Sequence, residues 1–108
     1  MEKLEFDRQG YLKPYEKIGM TLEEFQVFFV DNFPQSKTRA LIFEQYLQFI
    51  EDFKQNITLE FEHWLDGSFL TQKLHPNDLD FVMLLDNKVV VQHALLLRHQ
   101  FAFRNVKQ

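Results

Sequence analysis

Two aspartates are the residues whose type and spacing most directly suggest chemistry. Asp78 and Asp80 stand two positions apart at the start of the apolar run DLDFVMLLD. On a strand, both side chains would leave the same face, about 6.5–7 Å apart along the backbone. Two carboxylates held about 4 Å apart repel by about 4 kcal/mol at an effective dielectric constant near 20, so they favour a cation or a shared proton between them. Oxygen ligands alone favour magnesium or manganese over zinc.

A glycine–serine pair precedes the aspartates by about ten residues. Gly67 would let the backbone approach a ligand closely, and Ser68 would add a hydroxyl and an amide where a helix could begin. A helix start of this kind binds phosphate. The simpler interpretation is a turn glycine followed by two aspartates that cap a loop. The spacing alone leaves both interpretations open.

Two helices are predicted ahead of these residues. The segment TLEE places Thr21 at the N-cap and Glu24 three positions later, which is a capping box, and Pro34 ends this first helix. Ser36 is the predicted N-cap of a second, strongly amphipathic helix. Its apolar stripe, predicted to be core, consists of Ile42, Phe43, Tyr46, Leu47, Phe49, Ile50 and Phe53.

The second half of the chain predicts strands and a last helix. Alternation in ITLEF predicts a strand that begins at Ile57 and has one buried face. The run that begins at Asp78 predicts a central strand covered on both sides. A helix is predicted from about Lys88, although Val89–Val91 could instead extend a strand. The predicted fold class is α+β (α/β): an irregular leader over residues 1–20 and one domain over residues 21–108, with a small mixed sheet, two N-terminal helices and a C-terminal helix.

The motif resembles the signature of the nucleotidyltransferase superfamily, in which a strand ends in Gly-Ser and Asp-x-Asp enters a later apolar strand. It is most similar to small bacterial members, including antitoxins that act beside HEPN-type toxins. The segments FDRQGYLKP, TLEEF, FPQSKTRALIFEQYLQFI and WLDGSF extend this resemblance over about residues 6–86. The resemblance implies a minimal nucleotidyltransferase-like fold.

The resemblance also implies roles for the motif residues. Gly67 and Ser68 would hold the phosphates of a nucleoside triphosphate, and Asp78 and Asp80 would hold magnesium ions that align the attacking and leaving oxygens. The superfamily has a third carboxylate on a strand after the next helix. No acidic residue follows Asp86 in this sequence, and the chain ends where that strand is expected. Asp66 is a conceivable substitute, although its side chain could equally cap the Gly-Ser turn.

Charge is distributed unevenly along the chain, whose net charge is −4. Residues 57–86 carry six acidic residues and one lysine, whereas residues 87–108 carry four basic residues and no acidic one. The basic segment could contact RNA or an acidic protein groove through Arg98, His99, Arg104 and Lys107. Alternatively, its leucines are core and its arginines are merely solvated. The overall negative charge disfavours unaided nucleic-acid binding and favours a protein or ribonucleoprotein partner.

Two functions follow from these expectations. The first is a catalytically incomplete nucleotidyltransferase-like protein from a genetic-conflict or mobile-element system, which acts by binding a partner. It would be antitoxin-like, or a phage-borne inhibitor of a defence complex such as a CRISPR effector. The second is a magnesium-dependent nucleotidyltransferase that moves a nucleotide from a triphosphate to a protein or RNA hydroxyl, with Asp66 or another subunit supplying the third carboxylate.

Composition excludes several other classes of site. The chain has no cysteine, which excludes disulfides and thiolate zinc sites. No apolar run reaches the roughly 18–20 residues of a membrane span, and the N-terminus lacks the apolar core of a signal peptide, so a cytoplasmic location is predicted. An unpaired strand edge in so small a sheet makes a homodimer plausible.

Overall fold

The computed structural model describes residues 4–99 and 106–107, and it has the predicted α+β class. The strands are β1 (Glu5–Phe6), β2 (Leu12–Lys13), β3 (Glu62–Asp66), β4 (Asp78–Leu84) and β5 (Val106–Lys107). The α-helices are α1 (Leu22–Gln26), α2 (Arg39–Asn56), α3 (Asn87–Gln92) and α4 (Ala94–His99). A π-helical turn (Val27–Asp31) continues α1, and a 3₁₀ turn (Ser68–Leu70) separates β3 from β4.

The N-terminal leader contains a hairpin, so the prediction that it is irregular is wrong over residues 5–13. Strands β1 and β2 pair antiparallel, with Phe6 opposite Leu12. The Asp7 carboxylate stabilises the turn between them by accepting hydrogen bonds from the backbone N–H groups of Gln9 (2.9 Å) and Tyr11 (2.8 Å). An aspartate that bonds its own following backbone is a common turn device, and it was readable in the segment FDRQG.

The predicted capping box of the first helix is present. The Thr21 hydroxyl accepts from the backbone N–H of Glu24 at 3.1 Å, and the Glu24 carboxylate accepts from the backbone N–H of Thr21 at 2.8 Å. Ser36 was predicted to be the N-cap of the second helix, but the N-cap is Thr38. The Ser36 hydroxyl still accepts from the N–H groups of Thr38 (3.3 Å) and Arg39 (3.1 Å). Helix α2 nevertheless begins at Arg39, three residues beyond Ser36.

Most of the predicted stripe on α2 is core. Ile42, Phe43, Tyr46, Ile50 and Phe53 are buried. Leu47 was predicted to belong to this stripe and is instead 37% exposed. The stripe packs against Phe25 and Phe29 of the first helical segment and against the inner face of the sheet, so the core is dominated by aromatic contacts.

The strand predicted to begin at Ile57 starts later. Ile57 ends α2, where its N–H donates to the carbonyl of Phe53 at 2.8 Å, and its side chain packs with Phe53. Burial of Ile57 at the helix end outweighs the alternating pattern, and Leu59 is left exposed. Strand β3 begins only at Glu62.

Strand β4 is the centre of a three-stranded sheet in the order β3–β4–β5. Both described pairings in this sheet are antiparallel, which differs from the mixed sheet expected. Leu79 and Phe81 point into the core, but Val82 is 47% exposed, so the prediction that β4 is covered on both sides is wrong. The helices cover one face, which we call the inner face, and the opposite face is the outer face.

The chain after β4 is helical, as predicted from about Lys88. The Asp86 carboxylate accepts from the backbone N–H of Lys88 at 2.8 Å and caps α3. Val89–Val91 therefore lie in a helix and do not extend the strand. A third strand was not expected, yet β5 pairs with the first two residues of β4. Within residues 4–99 and 106–107, no helix is long and apolar enough to cross a membrane.

Candidate functional site

The outer face of the sheet brings several predicted site residues together. Because side chains alternate along a strand, Trp64 and Asp66 of β3 share this face with Asp78, Asp80 and Val82 of β4. The register places Asp66 directly opposite Asp80, and Trp64 directly opposite Val82. The outer face therefore has an acidic end next to an apolar end.

The Gly-Ser turn lies against the carboxylate of Asp80. Gly67 has φ of +89°, and a Cβ atom at this position would be 2.5 Å from Asp80 Oδ2. Only glycine allows this backbone to sit so close to the aspartate. The two halves of the motif, ten or more residues apart in the chain, are thus neighbours in the fold.

Ser68 opens a single 3₁₀ turn, where the sequence interpretation expected a helix N-terminus. The carbonyl of Ser68 accepts from the Thr71 backbone N–H at 3.1 Å and from the Thr71 hydroxyl at 2.7 Å. These bonds close the turn. The turn is short because Thr71 is already extended, with ψ of −177°.

Asp66 caps the Gly-Ser turn and also lies close to the aspartate pair, which are the two positions considered for it. Its Oδ1 accepts from the backbone N–H of Gly67 at 2.8 Å, which is the turn-capping role. It is also exposed on the outer face, opposite Asp80 across the β3–β4 pair. One carboxylate oxygen therefore organises the turn while the residue stays next to the aspartate pair.

The remaining predicted residues lie toward the C-terminus. Asp78 stands opposite Lys107, which β5 brings to the same end of the sheet. Arg98 and His99 are in α4, but their side chains are outside the described part of the structure. Arg104 lies outside the described residues altogether. Asp78 is therefore the acidic site residue nearest to the basic segment.

The carboxylates of Asp78 and Asp80 suit a cation that takes the rest of its coordination shell from a bound ligand. Over residues 4–99 and 106–107, no group of three or more acidic, histidine or cysteine side chains could by itself hold a metal. Magnesium is commonly bound by only one or two carboxylates together with the phosphates of a nucleotide and water. Asp80 fits that mode, since it offers oxygen ligands beside a turn that leaves space only for glycine, and Asp78 shares its strand face.

An open groove of about 2270 Å³ runs along this site. One wall is the N-terminal segment of residues 7–22, and the other is the outer face of β3 and β4 with the turn that follows β3. Gly67, Ser68 and Asp80 line it together with Asp66. Small-molecule sites typically have volumes of about 300–1,000 Å³, so this groove has room for a nucleotide and for part of a larger partner.

Sequence reasoning missed Arg39, which holds the segment after the Gly-Ser turn. Arg39 is fully buried, and its guanidinium donates to the carbonyls of Phe29 (2.8 Å), Phe69 (2.7 Å), Thr71 (2.7 Å) and Lys73 (2.6 Å). Its planar fork also lies 3.8 Å from the ring centroid of Phe33.

A signal for Arg39 was present in the sequence. Arg39 precedes Ile42, Phe43 and Tyr46 by three, four and seven positions, so it belongs to the buried stripe of α2. Burial lowers the pKa of Arg39 to about 10, which leaves the guanidinium charged at neutral pH. A charged group in a core stripe must find buried acceptors, and here the acceptors are backbone carbonyls.

A second buried polar contact lies under β3. The Tyr46 hydroxyl and His63 Nδ1 are hydrogen-bond partners, and the two rings are stacked. Burial lowers the pKa of His63, with a smaller contribution from the positive charge of Lys54. Burial also raises the pKa of Tyr46 well above its ordinary value. Both groups are therefore neutral near pH 7.

The His63 contact predicts a loss of stability in mild acid. The unfolded chain binds a proton at His63 near pH 6.5, whereas the folded chain binds it only at lower pH. Stability should therefore fall as pH decreases through about 6.5 and level off below the folded pKa, with a slope of at most about 1.4 kcal/mol per pH unit. His63→Gln should flatten the pH dependence of the free energy of unfolding between about pH 7.5 and 5, measured by urea denaturation.

The exposed Lys54, whose positive charge contributes less to this pKa shift than burial does, provides the second variant of this experiment. The variant Lys54→Gln should flatten the slope less than His63→Gln does. An unchanged slope in His63→Gln would contradict the assignment.

The comparisons with known proteins identify a family. The chain belongs to DUF6932, a family of unknown function, whose model matches residues 4–108. No curated protein and no solved structure gives a match.

Proposed function

We propose that this chain is a nucleotidyltransferase-like protein that binds a nucleoside triphosphate with magnesium on the outer face of its sheet and acts through a binding partner. In this proposal, Gly67 and Ser68 seat the phosphates, and Asp78 and Asp80 hold the cation. The observation that carries the proposal is the close approach of the Gly67 backbone to the Asp80 carboxylate. A Cβ atom added at Gly67 would lie 2.5 Å from Asp80 Oδ2. That approach would bring the turn proposed to hold phosphate next to a proposed cation ligand.

The chemistry of the donor set supports a phosphate-bound cation. Asp78 and Asp80 supply oxygens only, which are the ligands that magnesium prefers. A magnesium ion between carboxylate and phosphate oxygens would lower the repulsion between them. The residues of this chain would then orient the phosphates in the groove.

The partner is proposed to be a protein or a ribonucleoprotein of a genetic-conflict or mobile-element system, such as a toxin or a defence complex. Two observations support a macromolecular partner. The groove is larger than a nucleotide requires. The chain also carries an acidic segment and a basic segment, which a partner of mixed charge would complement.

A magnesium-dependent nucleotidyltransferase is the second candidate function, and one observation favours it. Asp66 lies directly opposite Asp80, so three aspartates share the acidic end of the outer face. Asp66 has one oxygen engaged with the Gly67 N–H. For transfer chemistry, this carboxylate would accept the proton of the attacking hydroxyl, and another subunit would supply the further metal ligand.

Replacing both aspartates tests the nucleotide proposal. The double variant Asp78→Asn/Asp80→Asn should weaken Mg–ATP binding by at least about 100-fold, because groups that merely support metal ligands already cost 10–100-fold when removed. Isothermal titration calorimetry with and without magnesium measures this. The control Glu44→Gln/Glu51→Gln makes the same charge change on the exposed face of α2 and should bind as the wild type does.

Two further outcomes separate the candidate functions. Release of pyrophosphate from Mg–ATP in the presence of a partner, lost in Asp66→Asn, would favour the enzyme. Capture of the same partner by the wild type and by Asp78→Asn/Asp80→Asn would favour a role in binding alone. Equal Mg–ATP affinity in the wild type and the double variant would overturn the nucleotide proposal.

A further inference from the structure

Trp64 presents an accessible ring beside the proposed phosphate site. It lies on the outer face of β3, is 43% exposed, and lines the same groove as Gly67, Ser68 and Asp80. It is the only tryptophan in the chain. A large aromatic ring left half in water next to a polar site is a common feature of binding surfaces.

One face of the Trp64 ring is covered by the ammonium group of Lys17, which a ligand can displace. Lys17 Nζ lies 3.5 Å from the centroid of the Trp64 ring. Lys17 is exposed, and its ammonium sits at the end of a flexible chain, so its contact with the ring is weak and can be exchanged. A nucleobase, whose flat π system is weakly hydrated, stacks on the Trp64 ring more strongly than the lysine does.

The spacing connects the ring to the phosphate site. Trp64 and Asp66 are successive residues on the outer face, about 6.5–7 Å apart along the strand, and the Gly-Ser turn follows directly. A ribose and its first phosphate can bridge such an interval. Val82 lies opposite Trp64 and gives the site an apolar floor that favours a base over a sugar or a further phosphate.

We propose that Trp64 is the stacking platform for the base of the bound nucleotide, and that Lys17 moves from the ring to the phosphates when the base enters. This inference rests on the proposed function, since it assumes a triphosphate at Gly67 and Ser68. It adds the residue that would recognise the base of that ligand.

The test compares a ligand that has a base with one that has none. In calorimetric titrations with magnesium, the wild type should bind ATP roughly tenfold more tightly than inorganic tripolyphosphate, because one base–aromatic stack changes affinity by roughly five- to a hundredfold. Trp64→Leu should lose this preference while keeping its tripolyphosphate affinity. Trp64→Phe, which retains a smaller stacking surface, should keep most of it.

Tryptophan fluorescence and a control variant distinguish base stacking from a structural effect of the Trp64 substitution. ATP, but not tripolyphosphate, should change the fluorescence of the single tryptophan in the wild type. Tyr11→Leu removes an exposed aromatic ring from the opposite wall of the groove and should leave the ATP preference intact.

The outcomes distinguish this inference from the function on which it rests. If the wild type binds neither ligand, the nucleotide proposal fails and the stacking role falls with it. If tripolyphosphate binds as tightly as ATP, or Trp64→Leu keeps the preference, only the stacking role is overturned. Loss of the preference in Tyr11→Leu instead would place the base on the other wall and would also overturn it.

Discussion

Replacing Arg39 with methionine should lower the free energy of unfolding by about 3–5 kcal/mol, the largest of the effects predicted for this chain. Methionine fills much of the same volume but cannot donate, so the carbonyls of Phe29, Phe69, Thr71 and Lys73 would lose their partner. Each buried acceptor left without a donor costs about 1–3 kcal/mol before water and local rearrangement compensate. Urea denaturation followed by circular dichroism measures the change.

Two variants separate the hydrogen bonds from the charge. Arg8→Met removes an exposed arginine and should change stability by less than about 0.5 kcal/mol. Arg39→Lys keeps a positive charge but replaces the planar fork with a point donor, so it should recover only part of the loss. Wild-type stability in Arg39→Met would refute the role of Arg39 in holding the turn segment.

Gly67→Ala should have the second-largest effect, a destabilisation of about 2–3 kcal/mol together with loss of magnesium-dependent nucleotide binding. The backbone at Gly67 has φ of +89°, which is unfavourable for alanine. The new methyl group would also lie 2.5 Å from Asp80 Oδ2 and 3.0 Å from its Cγ. The Asp80 carboxylate would have to turn away from the groove.

The other two glycines are matched controls for these two causes. Gly19 has no atom within 4 Å of its Cβ position, so Gly19→Ala should be nearly neutral. Gly10 has φ of +91° but only ordinary contacts, with Gln72 Cβ at 3.5 Å, so Gly10→Ala should cost about 1 kcal/mol through conformation alone. An equal cost at Gly10 and Gly67 would refute the contact with Asp80.

A double-mutant cycle isolates that contact. Asp80→Ala removes the carboxylate and leaves only its Cβ, which is at 3.4 Å. In that background, Gly67→Ala should cost only about as much as Gly10→Ala does. The difference between the two costs is the coupling energy between the turn and the aspartate.

The fold was predictable where a local signal and burial agree. The capping box at Thr21 and the stripe of α2 were read correctly because each depends on neighbours within one or two turns. The strand predicted at Ile57 was wrong because the alternating pattern competed with burial of that residue at the end of α2. Val82 was misplaced because an apolar run alone does not show how many faces of a strand are covered.

The spacing of residues in the sequence proposes the members of the candidate site but not their arrangement. Gly67, Ser68, Asp78 and Asp80 were proposed from spacing, whereas the close approach of Gly67 to Asp80 depends on the antiparallel register of β3 and β4. The same register places Asp66 opposite Asp80, which no local pattern encodes. Trp64 and Lys17 meet across a groove between distant segments, and the contact between Tyr46 and His63 joins a helix to a strand. Contacts of this kind follow from topology.

The anchoring of residues 69–73 by Arg39 has a consequence for how this protein can change. Arg39 holds the carbonyls of this segment, and a carbonyl is the same whichever amino acid carries it. Exposed positions such as Gln72 and Leu74 can therefore be exchanged while the path of the chain is kept. The backbone path of this segment and the side chains that it exposes can therefore change independently. This makes the segment suited to diversification or to grafting of a new binding specificity.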